Sequence, residues 1–196
     1  MVIKVCHRQP EEGELRYVNG VIWLLLTLVL GGSLAAQPAD SGAANAAKAF
    51  YDAYIRLKPL GVPDAAQRAQ LRSLISPALH DLLAAADAAE ARHAQKTRKQ
   101  EPPLVQNDLF TSLFEGASRF EVGACSADAS DASCLIDFVY QDTKGGPETK
   151  WQDRVHLLKA ATGWLLDDVE YRGSWALAAR GRLSETLKAV VREADK

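Results

Sequence analysis

The chain reads as an α+β protein, with helices first and an antiparallel sheet after them. Three observations predict this. Apolar residues recur at helical spacing up to about Ala86, alternation with period two takes over after Pro102 and Pro103, and a last helical stretch follows Gly173. In the first helix, Ala43, Ala47, Phe50, Tyr54 and Leu57 fall on one face, with Asn45, Lys48, Asp52 and Arg56 mostly elsewhere on the wheel. Pro59, Gly61 and Pro63 break it, and Asp64 caps a short second helix expected to run to about Ile75. Ser76 and Pro77 restart the pattern as a capping residue and a first-turn proline. The third helix follows, with Leu79, Leu82, Leu83 and Ala86 inward and a polar tail over Glu90–Lys99.

Four strands are expected, at Arg119–Cys125, Cys134–Asp142, Thr149–Ala160 and Gly163–Tyr171. Gly145, Gly146 and Pro147 turn the chain between the second and third, and Ala161, Thr162 and Gly163 between the third and fourth. Such short connections imply antiparallel order. Ser184–Ala194 closes the chain as a short helix, with Leu187 and Val190 or Val191 inward.

Ahead of the first helix, the run from Val21 to Ala36 carries no charge and ends in small residues. At roughly 16 residues it suits the core of an export signal and falls short of the ~20 that span a bilayer as a helix. Residues 1–36 are therefore expected to be a signal peptide cleaved after Ala35 or Ala36, followed by a linker over 37–42 and one domain over 43–194. The leading segment lacks the usual positive excess, since Glu11, Glu12 and Glu14 balance Lys4, Arg8 and Arg16; an uncleaved anchor is the alternative. With no cysteine at the junction, lipid attachment is not expected. The mature chain would be periplasmic or secreted, with no stable membrane insertion.

The net charge of −2 is unchanged by removing residues 1–36, which hold three basic and three acidic side chains. That balance gives no electrostatic case for nucleic acid or an anionic membrane, both of which call for clustered positive charge. The basic stretch Arg92, His93, Lys96, Arg98, Lys99 reads as a solvated helix end or as a contact for an acidic partner. Export takes Cys6 with the signal and leaves Cys125 and Cys134, one ending an alternating stretch and the other opening an apolar one. A hairpin clasped by their disulfide is expected, stabilised by ~2 to 3 kcal/mol through loop closure. Two buried free thiols are the alternative.

A first helix carrying Phe50, Tyr51, Asp52 and Tyr54 is followed by Leu74-Ile75-Ser76-Pro77-Ala78-Leu79 and by Asn107-Asp108-Leu109-Phe110. The Trp151 strand, the run Gly163-Trp164-Leu165-Leu166-Asp167-Asp168-Val169 and the closing Arg180-Gly181-Arg182-Leu183-Ser184-Glu185-Thr186-Leu187 come after. Taken together, these segments resemble the DUF3828 family of bacterial envelope proteins, over nearly all of residues 43–191. The resemblance implies an NTF2-like cone, in which N-terminal helices pack on a curved antiparallel sheet of about four strands. The family has no established activity, and the fold alone assigns none.

Strand alternation puts Trp151, Asp153, Val155 and Leu157 on one face of the third strand and Gln152, Arg154, His156 and Leu158 on the other; on the fourth, Leu165, Asp167, Val169 and Tyr171 share a face. If the apolar members line the cone, Asp153 and Asp167 enter it together with Tyr54 and Tyr171, and Trp151 is a candidate ligand contact. A carboxylate there would have a raised pKa and act as a base, with a tyrosine as hydrogen-bond donor, in an isomerase- or hydratase-like enzyme. The competing reading is structural: Asp167 and Asp168 bind backbone amides of the helical layer or pair with Arg154 or Arg172, and the aromatics fill the core.

No metal or cofactor is expected, because His80, His93 and His156 share no ligand spacing and neither cysteine has a nearby histidine in sequence. The chain has no Gly-x-Ser-x-Gly elbow, Walker loop, His-Glu-x-x-His or dinucleotide fingerprint. The leading expectation is therefore a non-enzymatic exported binding module, of inhibitor or immunity type, for an unnamed protein or small ligand.

Overall fold

The structure, a computed structural model, describes residues 39–196; the expected signal peptide, its cleavage site and Cys6 lie outside the described residues. The elements run α1 (Ala39–Leu57), α2 (Ala65–Leu71), α3 (Pro77–Lys96), β1 (Arg119–Ala127), β2 (Asp131–Tyr140), β3 (Thr149–Ala160), β4 (Gly163–Glu170) and α4 (Leu183–Ala194). The four strands form one antiparallel sheet in the order β1-β2-β3-β4. The α+β class, the sheet and the C-terminal helix match the sequence expectation. Among the described residues no helix is long and apolar enough to cross a membrane.

α1 packs against all four strands, burying Ala43, Ala47, Phe50, Tyr51 and Tyr54 on the sheet. It begins at Ala39, so residues 39–42 of the expected linker are helical. Gly42 is admitted because the ring of Trp164 occupies the space beside it: a Cβ there would lie 3.2 Å from Trp164 Cδ1. α2 starts as read, with a capping box in which Gln67 N–H donates to Asp64 Oδ1 (2.8 Å) and Asp64 N–H donates to Gln67 Oε1 (3.0 Å). It stops at Leu71 rather than near Ile75. Leu74 to Ser76 instead pair with β4, Ser76 N–H donating to Leu166 O and Leu166 N–H to Leu74 O, which covers part of an otherwise open sheet edge.

β1 and β2 extend past the cysteines to a turn at 128–130, where Asp128 Oδ1 accepts the N–H groups of Ser130 and Asp131. Cys125 and Cys134 are cross-strand partners joined by a disulfide, their Cα atoms 4.1 Å apart. The inner faces of β2 and β3 bury Cys134, Ile136 and Phe138 beside Trp151, Asp153, Val155 and Leu157. The outer face is polar: Glu170 meets Arg154 (3.3 Å), His156 (3.4 Å) and Arg172 (3.9 Å) there.

β4 departs from simple alternation. Leu157 pairs with Leu166 but His156 pairs with Asp168, so Asp167 is an extra residue without a partner on β3. This bulge puts Trp164 and Leu166 on the buried side together with Val169 and Tyr171, whereas Leu165 and Asp167 are only partly buried. The expected face Leu165-Asp167-Val169-Tyr171 is therefore corrected.

Candidate functional site

The sheet's inner face is occupied by the chain itself. Residues 104–118, between α3 and β1, have no helix or strand, yet Leu109, Phe110, Thr111 and Ser112 are at most 1% exposed. A buried irregular segment must find partners for its backbone groups. Tyr51 Oη donates to Phe110 O (3.0 Å) and Tyr171 Oη donates to Leu109 O (2.6 Å). Phe110 also packs edge-on against Phe50 and Tyr54.

Asp153, fully buried on β3, anchors the end of this segment. Its Oδ2 accepts from Ser112 N–H (2.8 Å) and Trp151 Nε1–H (3.0 Å), and its Oδ1 from the Ser112 hydroxyl and Arg172 N–H (2.8 Å). Ser112 Oγ in turn accepts from Arg172 N–H and Gly173 N–H, tying 104–118 to the exit of β4. Four donors saturate this carboxylate, and the N–H of Trp151 is committed to it. The Trp151 ring stacks on Phe138 and meets Trp175 edge-on.

The two β4 carboxylates serve helix starts. Asp167 Oδ1 accepts from Ser76 Oγ (2.5 Å), while Ser76 Oγ accepts Leu79 N–H (3.0 Å) as the N-cap of α3. Asp168 accepts the Ser184 N–H (3.0 Å) and hydroxyl (2.8 Å) in the first turn of α4, whose own N-cap residue, Arg182, makes no side-chain cap. Asp168 thereby satisfies a free amide of α4, Asp167 orients the hydroxyl that caps α3, and both negative charges complement the positive end of a helix dipole.

Of the four sequence candidates, Asp153, Tyr54 and Tyr171 gather around the fully buried phenol of Tyr51; Asp167 does not. Asp108 takes part in its place. Burial, followed by the charge of Asp153, holds the Tyr51 phenol far above its ordinary range. Burial and then Asp108 do the same for Tyr54 and Tyr171, so all three remain neutral donors.

Asp108 is the residue that sequence reasoning passed over. It is 3% exposed, and burial pushes its carboxyl up to about 7, against hydrogen bonds from Tyr54, Phe110 N–H and Thr111 that pull it down. Gly116 closes over the pair with φ +76°; a Cβ on it would lie 2.5 Å from Tyr54 Oη and 2.9 Å from Asp108 Oδ2. Tyr54 Oη also accepts Ala117 N–H (2.9 Å). Asp108 and Tyr54 line a cavity of about 370 Å³ with Lys58, Glu115 and Tyr140. A carboxyl that exchanges its proton near neutrality beside a phenol is equipped for general acid–base chemistry. Its sequence signal was an acidic residue set directly before Leu109-Phe110.

The histidines are dispersed. His93 contacts Pro102 O, His80 contacts Asp81 and His156 contacts Glu170. Among the described residues no three His, Cys, Asp or Glu side chains converge to hold a metal ion. In the basic stretch, Arg92 pairs with Asp195 at 3.1 Å.

The second irregular segment, 171–182, borders the first. Ala179 N–H donates to Ser112 O, and Arg180 donates to the carbonyls of Gly173 and Trp175. Phe114, 54% exposed, and Leu177, 90% exposed, line a shared cavity of about 310 Å³ with Tyr171 and Arg180.

No protein-family model matches the chain, and no curated protein matches it. Among solved structures, a SEC-C motif containing protein from Rhodopseudomonas palustris, determined in solution, is similar at 15% identity with a TM-score of 0.39, over 67% of this chain and 81% of that one.

Proposed function

We propose that this chain is an exported, non-enzymatic binding module, an NTF2-like arrangement of helices over a four-stranded sheet that meets its partner through the surface of segments 104–118 and 171–182. The observation that carries this reading is the burial of Leu109–Ser112 against the sheet's inner face, with Asp153 saturated by four donors. A carboxylate so committed has no free lone pair aimed at a substrate. The two segments instead present Phe114 and Leu177 outward, and large exposed apolar side chains set close together are a feature of interaction sites. Export follows from the apolar run before Gln37, and the resemblance to DUF3828 envelope proteins supports a periplasmic setting. An inhibitor or immunity role fits a module of this kind.

The test is capture of partners from a periplasmic fraction with the wild-type chain and with a Phe114→Ser, Leu177→Ser double variant. A saturable partner retained by the first and lost by the second is expected. Equal recovery by both, or no saturable partner with either, overturns the reading. N-terminal sequencing of the exported protein is expected to begin at Ala36 or Gln37.

One observation favours a second reading, an isomerase- or hydratase-like enzyme. The base would then be Asp108 rather than Asp153 or Asp167, with Tyr54 as hydrogen-bond donor, at the 370 Å³ cavity that both line. Turnover abolished by Asp108→Asn with the fold retained would establish it.

A further inference from the structure

A cavity of about 310 Å³ lies where the turn after α2 meets the β3–β4 turn. Its apolar lining residues are Ile75, Pro77, Leu165 and Trp164, and its polar ones are Arg72, Ser73 and Thr162. No carboxylate lines it. Asp167, two residues along β4 from Leu165, is held by Ser76 instead.

Arg72 is exposed. Its side chain enters no ion pair or hydrogen bond among the described residues, unlike that of Arg68 one turn earlier, which reaches Asp87 at 2.7 Å. Trp164 is 7% exposed, and its Nε1–H is buried with no acceptor. That edge of the ring faces Gly42 of α1, which does not line the cavity, so it is the ring and not its N–H that forms part of the wall. Lys159 adds positive charge, its Nζ 4.8 Å from the centre of the Trp164 ring. The wall is thus apolar, while the charged residue that lines it, Arg72, is a donor, and Lys159 adds positive charge nearby.

We infer that this cavity binds a small organic carboxylate, its anionic end taken by Arg72 with the Ser73 and Thr162 hydroxyls, and its apolar body lying against Ile75, Pro77, Leu165 and the Trp164 ring. Arg72 supplies the planar fork that fits a carboxylate, and the apolar wall excludes a bare, strongly hydrated anion. The site shares no residue with the surface of segments 104–118 and 171–182, so it stands or falls apart from the partner-binding reading.

The test is a two-dimensional NMR titration of the isotope-labelled full chain with benzoate, with benzamide as the neutral isostere and inorganic phosphate as the bare anion. Trp164→Phe assigns the indole N–H signal. Benzoate is expected to shift the amides of Arg72, Ser73 and Thr162 and the Trp164 indole N–H saturably below ~10 mM. Arg72→Gln, an exposed change at the end of α2, is expected to weaken that binding about tenfold, the loss of a charge-assisted hydrogen bond. Absence of a saturable shift, an equal response to benzamide or to phosphate, or an unchanged affinity in Arg72→Gln overturns the inference.

Discussion

Asp153 and Ser112, 41 residues apart, are bonded twice: the backbone N–H of Ser112 donates to one carboxylate oxygen at 2.8 Å and its hydroxyl to the other. This pair fixes an irregular segment to the middle of a sheet, and Arg172 N–H and Trp151 Nε1–H complete the carboxylate's shell. A buried carboxylate serves as a structural joint when its lone pairs are all used, and it is then the donors around it that lose most if it is removed.

Asp153→Ala leaves the Ser112 amide, the Ser112 hydroxyl and the Trp151 indole without their acceptor, while Arg172 N–H keeps Ser112 Oγ. At ~1 to 3 kcal/mol per unsatisfied group, only partly additive, the loss of stability should be on the order of 3 to 5 kcal/mol. Asp153→Asn, which retains one acceptor oxygen, should lose less. Urea denaturation of the three proteins checks the order; a wild-type midpoint in Asp153→Ala would refute the joint.

Asp108 makes stability depend on pH. Its folded-state value of about 7 lies above the ordinary 3.8, so between those values the folded chain holds a proton that the unfolded chain has released. The stabilisation is fully present below about pH 4 and is lost as pH rises through about 7, with a slope of at most ~1.4 kcal/mol per pH unit. Comparing denaturation at pH 5 and pH 8 should show the wild type losing stability and Asp108→Asn losing less of it.

Gly116→Ala introduces a methyl group where φ is +76° and Tyr54 Oη stands 2.5 Å away. The backbone strain alone is ~1 to 2 kcal/mol, and the steric conflict adds to it. Tyr54→Phe removes the opposing oxygen, so the double variant should be less destabilised than the sum of the single ones. Additive effects in a double-mutant cycle would place the conflict elsewhere.

Reduction of the Cys125–Cys134 disulfide opens a link across a sequence separation of 9 and should lower stability by ~2 to 3 kcal/mol. Intact mass of the exported protein should fall two hydrogens below that of the reduced form. Two free thiols after isolation without reductant would contradict the expected compartment.

Local patterns in the sequence determined much of this molecule. Apolar spacing and the Asp64 and Ser76 caps defined the helices, β3 ran from Thr149 to Ala160 as alternation indicated, and the cysteines clasped the hairpin. Each of these signals lies within a few residues of what it specifies. The tertiary structure alone decided the rest. The bulge at Asp167 exists only through pairing with β3, and it sends Asp167 and Asp168 to helix starts that lie 91 and 16 residues away in the chain. Burial of Leu109–Ser112 depends on Tyr51, Tyr171 and Asp153 arriving from three separate elements, because an irregular backbone enters a core only where distant side chains satisfy it. Asp108 becomes a near-neutral acid for the same reason: a carboxyl's proton affinity is set by the groups packed around it, and no local pattern in the sequence names them.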